Sequence, residues 1–187
     1  MKIKLTHIPY MAHKISKDIF ANPHISIVDE NEKIVDIIYD ILEKEVQKEM
    51  RLEAKVDEML DNVGDEVVDE FEYMDINYKQ VFWMAKKRLA KEYDFILETE
   101  DRHNDISHQI ITRLTEEDCI NYIMTETILK NVVFDSIVDF IGLFAKIEDA
   151  VHERITHYKR KLIPGTEDYD LVYKKLYEEE LVRKGLV

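Results

Sequence analysis

Apolar residues recur at helical spacing along most of the chain. Ile8, Met11, Ile15 and Ile19 lie three and four apart and predict a short amphipathic helix over 8–20. A longer stripe, Ile34, Ile37, Ile38, Ile41, Leu42, Val46 and Met50, predicts a helix near 30–62, with Glu43, Lys44, Glu45, Lys48 and Glu49 facing water. Asp40 and Lys44 form a helix-supporting pair four residues apart. Gly64 closes this helix, Asp65 caps a short segment through Phe71, and a further helix follows near 77–97. The order then repeats: a short helix near 105–114, a long one near 125–158, a stop at Pro164-Gly165, and a closing helix near 167–184 capped by Thr166. Between the short and long helix of each half sits a brief alternating stretch, Ile25-Ser26-Ile27 and Ile120-Asn121-Tyr122. Its period of two marks a very short strand, and two such strands can pair; the second stretch also reads as the start of the long helix.

The repetition extends to residues. At an offset of 95, His13-Lys14-Ile15 falls on His108-Gln109-Ile110. Ile34, Ile37, Ile38, Tyr39, Asp40 and Leu42 fall on Leu129, Val132, Val133, Phe134, Asp135 and Ile137, and no gap is needed. Two amphipathic helices always align in some register, but that does not also align His13 with His108 in an earlier element. The chain therefore reads as a tandem duplication, residues 1–98 and 99–187, packed as one all-α domain with pseudo-two-fold symmetry and a minor two-stranded β element. A half with one apolar face cannot bury it alone, so each would cover the other. The second long helix is apolar on several faces from Val132 to Ala145, as expected of a central helix or a partner interface. Gly142 inside it suggests a close approach by a neighbouring backbone.

Composition narrows the class. Four glycines and three prolines in 187 residues are too few for the turns of a strand-rich fold. The formal charge is −14, which argues against nucleic acid and anionic lipid as general partners. Residues 29–75 hold 18 acids against 5 bases, a solvated face that keeps the chain soluble. The single cysteine, Cys119, excludes an internal disulfide and lies in an apolar run, where a buried, inert thiol is expected. The first residues show no continuous apolar leader, and the most apolar stretch, 128–145, carries Lys130, Asp135 and Asp139. No membrane span and a reducing, cytoplasmic location are expected.

Candidate chemistry is sparse. Lys86-Lys87-Arg88 with Lys91, and Lys159-Arg160-Lys161 near Lys174-Lys175, are local basic groups. The second accompanies Tyr169, Tyr173 and Tyr177, four residues apart. Aromatics among bases can stack on single-stranded nucleic acid, but Val172 and Leu176 alongside make this a docking face for a terminal helix. Lys159, Arg160, Lys161, Tyr169, Tyr173, Lys174 and Tyr177 together form the candidate interaction surface, for a protein partner of unknown identity. The histidine pairs His103/His108 and His152/His157 are five apart, which turns their side chains about 140° from each other on a helix. Asp149 and His152 share a face and resemble half of a carboxylate–histidine site, but Asp57 stands where the first half would need the matching histidine. No metal or cofactor is expected, and no phosphate loop or nucleophile elbow is present. His13 and His108, repeated in both halves, suggest a structural hydrogen bond. A non-enzymatic interaction or regulatory module, monomeric or weakly dimeric, is the leading expectation; a nucleic-acid-associated regulator is second and a metal-assisted hydrolase last.

The ending resembles a known family. Lys161-Leu162-Ile163-Pro164-Gly165-Thr166, followed by Leu171-Val172-Tyr173-Lys174-Lys175-Leu176-Tyr177-Glu178-Glu179-Glu180-Leu181, is similar to the close of the bacterial domain-of-unknown-function family 507. The first half lacks the Pro turn and the Glu-Glu-Glu run. Members of that family are often single copies of about half this length, so the chain reads as a tandem form of it; the resemblance implies a bacterial cytoplasmic protein and no activity.

Overall fold

A single 3-10 turn, Leu5–His7, leads into helix α1 (Ile8–Ala21), whose Pro9 sits in the first turn where its missing N–H is not needed. Strand β1 (Ile25–Ile27) and the long helix α2 (Asn31–Asp61) follow. After α3 (Tyr78–Leu89) come α4 (Thr99–Glu116), strand β2 (Ile120–Tyr122), the long helix α5 (Glu126–Thr156) and α6 (Glu167–Arg183). This computed structural model describes residues 3–62 and 77–186. The stop at Gly64 and the segment from Asp65 to Phe71 lie outside the described residues. The architecture is all-α with one two-stranded antiparallel sheet.

The two halves keep the same register. Both long helices have 31 residues, and α1 and α4 end at Ala21 and Glu116, each pair related by the offset that carries Ile25 onto Ile120. In the sheet Ile25 pairs with Tyr122, Ser26 with Asn121 and Ile27 with Ile120. Ser26 and Asn121, 95 residues apart, stand at the centre of the strand pair. Helix α1 packs against both long helices, and so does α4. One core results, with Ile8, Ile15, Ile38, Leu42, Ile110, Ile137, Phe140 and Phe144 all fully buried. Arg113 of α4 also reaches across to Asp40 of α2. Burying a large apolar side chain is worth about 1.5–3 kcal/mol, so this interlocking dominates the fold's stability.

Several sequence expectations change here. Helix α4 begins six residues before the predicted start, because Arg102 and His103 in its polar first turns are buried. Helix α3 stops at Leu89 rather than near 97: the chain reverses through Asp94, at φ 48°, and returns Phe95 to the interior. Glu45 and Glu49 do not face water; both are buried, and Lys48 pairs with Glu45 at 2.7 Å. No backbone approaches Gly142: a methyl group there would meet nothing within 4 Å. His13 and His108 are both exposed, with His108 3.4 Å from Glu126, so their recurrence marks no interior hydrogen bond. The predicted Asp40–Lys44 pair is present at 2.8 Å. Helix α5 is central, packing on α1, α4 and α6.

Candidate functional site

Local sequence sets up the candidate surface at the C-terminal end. Gly165 takes φ 85°, a conformation that favours glycine, and lets the chain turn sharply after Pro164. Thr166 then caps α6, its hydroxyl accepting from the Tyr169 backbone N–H at 3.3 Å. Val172, Leu176 and Leu181 bury one side of α6 against α5. The three tyrosines flank that side, half-buried, with ring centroids 6.2 and 6.0 Å apart and nearly parallel planes. Tyr173 meets His152 edge-on at 5.7 Å. Tyr177 shares a hydrogen bond of 3.1 Å with His7, whose ring lies 4.5 Å from that of Phe144. Burial pushes the Tyr173 and Tyr177 hydroxyls above their ordinary pKa and pulls His7 down to about 4, so all three are neutral at pH 7.

The basic residues stand elsewhere. Lys159, Arg160 and Lys161 are exposed on the α5–α6 turn, where Arg160 pairs with Asp168 at 3.1 Å, and Lys174 projects from the outer side of α6. Tyr173 and Tyr177 lean on the core away from these cations, whereas Tyr169 shares a groove with Arg160 and Lys161. A groove of about 470 Å³ opens beside the turn, lined by His152, Tyr158, Arg160, Lys161, Leu162 and Tyr169. Ion pairs brace the helix above it: buried Glu180 takes Arg154 at 3.1 Å and Arg183 at 2.6 Å.

A second polar cluster escaped the sequence reading. At the junction of α2, α3 and α4, Lys86 donates to Glu49 at 2.8 Å and to Glu53 at 2.7 Å, and Arg102 reaches Glu49 at 3.3 Å. Lys86 and Arg102 both lie over the Phe95 ring, 5.4 and 4.9 Å from its centroid. Lys86, Arg102, Glu45 and Glu49 are all under 10% exposed. The offset of 95 held the missing signal, since it sets Glu45 and Glu49 on Phe140 and Phe144, positions an inward face would use.

Among the described residues, no three His, Cys, Asp or Glu side chains converge as ligands, and His152 Nδ1 lies 2.8 Å from the Glu148 carbonyl. Cys119 is buried, and burial pushes its thiol up, away from the reactive thiolate. No helix among the described residues is long and apolar enough to cross a membrane.

These features define an all-α scaffold of interlocked helices with two attached closing helices. The chain belongs to the family described as protein of unknown function (DUF507), whose model matches residues 1–186. That match runs through both halves, well beyond the ending that carries the sequence resemblance. No curated protein matches the chain.

Proposed function

We propose that this chain is a non-enzymatic protein-interaction or regulatory module, cytoplasmic and bacterial, whose binding surface is the α5–α6 turn with the outer side of α6. One observation carries the reading. With the tyrosines turned toward α5, the outward residues include Ile163, Leu171 and Val182, which are 60%, 69% and 61% exposed, beside Lys159, Arg160, Lys161 and Lys174. Exposed apolar side chains among these cations, with Glu178 between Leu171 and Val182, suit a protein surface of mixed polarity. Tyr169, Tyr173 and Tyr177 serve this surface by holding α6 in position.

The halves 1–98 and 99–187 are read as copies of one ancestral helical unit, fused so that each covers the other. The common register of strands and long helices, and the strand pair centred on Ser26 and Asn121, support this history. The fusion replaces what a single unit would reach by pairing with itself.

Affinity capture from a native bacterial lysate, treated with nuclease, tests the interaction. The wild-type chain should retain a partner that an Ile163→Glu, Lys174→Glu variant loses while keeping its helical circular dichroism. Retention by the variant would remove this surface. The nucleic-acid reading is favoured only by Lys159, Arg160 and Lys161; its mark would be nuclease-sensitive binding that weakens steeply with salt.

A further inference from the structure

The two closing helices pack on different long helices, α3 on α2 and α6 on α5. Beneath them stand residues related by the offset of 95: Phe140 and Phe144 fall on Glu45 and Glu49, and His7 falls on Arg102. Both sets meet in space. The His7 ring lies 4.5 Å from that of Phe144, and Arg102 reaches Glu49 at 3.3 Å. An aromatic cluster thus lies under α6 and a charged one under α3.

One short segment enters both. Ile3 is buried and, with Glu45, Val46, Glu49, Arg102 and Ile106, walls a space of about 10 Å³, no larger than one water molecule. Glu49 also receives Lys86, and Arg102 lies on Phe95, so Ile3 rests on the groups that fasten α3. Lys4 pairs with Glu148 of α5. Four residues after Ile3, His7 is buried beneath α6, where it shares its 3.1 Å hydrogen bond with Tyr177. Four residues span at most about 14 Å. The segment has little slack, because the His7 N–H donates to the Lys4 carbonyl at 2.9 Å within the 3-10 turn and α1 follows at once. A displacement of either end is therefore passed to the other. Buried charges attract strongly only while water is kept from them, so lifting Ile3 weakens the hold of Glu49 on Lys86 and Arg102 and frees α3.

We propose that Ile3–His7 is a strap that couples the two closing helices: the firmness with which Tyr177 holds His7 sets how readily α3 opens, and the reverse. This coupling stands whether or not the outer side of α6 binds a partner. Native-state hydrogen exchange on the full chain tests it. Tyr177→Phe removes the hydroxyl that bonds His7, keeps the ring, and alters no atom of α3. It should raise the opening constant of α3 amides at least threefold. In an Ile3→Ala background, where the strap no longer rests on the charged cluster, the same change should leave α3 where Ile3→Ala put it. Tyr173→Phe serves as the control, because among the described residues its hydroxyl bonds no part of the strap, and α3 should not respond. Coupling between two sites is reciprocal, so Lys86→Ala should speed exchange of the His7 amide. An α3 indifferent to Tyr177→Phe overturns the strap. So does an equal response with and without Ile3, an equal response to Tyr173→Phe, or a His7 amide unmoved by Lys86→Ala. Should Ile3→Ala lose its helical circular dichroism, Ile3→Val replaces it; the response to Tyr177→Phe should then shrink, and an undiminished one overturns the strap.

Discussion

The two closing helices occupy comparable places but are fastened by opposite chemistry. Helix α6 is held by aromatic contact: Phe140 and Phe144 stack at 4.2 Å, His7 covers Phe144, and Tyr177 completes the group. At the matching positions of α2 stand Glu45 and Glu49, and α3 is held by Lys86 and Arg102 around Phe95. The aromatic group is continuous with the main core. The residues beneath α3 form a separate small cluster of Leu52, Val56, Leu89, Ala90 and Phe95. Buried charges gain little net stability over apolar packing but are strongly unfavourable when one partner is removed. One fold therefore carries a closing helix fused to its core and another attached through a smaller, charge-dependent contact.

The largest expected effect is on the aromatic side. Phe144→Ala, at a site with no exposure, should destabilise the whole chain by about 4 kcal/mol in urea unfolding followed by circular dichroism. Lys86→Ala should cost about 3 kcal/mol, because Glu49 then faces one cation fewer in the interior. Its loss should appear first as opening of α3, whereas Phe144→Ala should act on every helix at once. Equal, global responses to both changes would erase the contrast.

Acid sharpens the comparison next. His7 and His103 are each pulled down from 6.5 to about 4, mainly by burial. The unfolded chain binds their protons first as pH falls, so stability is complete above about pH 6.5 and declines toward pH 4. By pH 4.5 each histidine should remove roughly 2–3 kcal/mol. Replacing His7 with Gln should flatten this acid limb by about half of the histidine contribution, read from unfolding midpoints across that range. The smallest effect is a gain: Gly142→Ala, open on all sides, should stabilise α5 by about 0.5–1 kcal/mol.

Much of this architecture is legible in the sequence, for a physical reason. Stripes such as Ile34, Ile38 and Leu42 recur at the helical period and leave little choice of buried side, and the period-two stretches at Ile25 and Ile120 are the strands that pair. Val172 and Leu176 likewise indicated that the tyrosine stripe docks α6. The charge cluster was illegible along α2 alone, because Glu45 and Glu49 look solvated until Lys86 and Arg102 arrive from distant positions. Polar first turns hid the start of α4 in the same way: Arg102 is interior only because Glu49 and Phe95 receive it. Gly142 and the His13–His108 match gave misleading signals, since a residue can recur or stand alone on a solvent face without any packing role.

Native-state hydrogen exchange tests the unequal attachment of the two closing helices most directly. Amides of α3 should exchange through a local opening well below the global unfolding free energy, while those of α6 exchange only with global unfolding of α1, α2, α4 and α5. Protection of α3 equal to that of α6, or an α6 that opens first, would contradict the account.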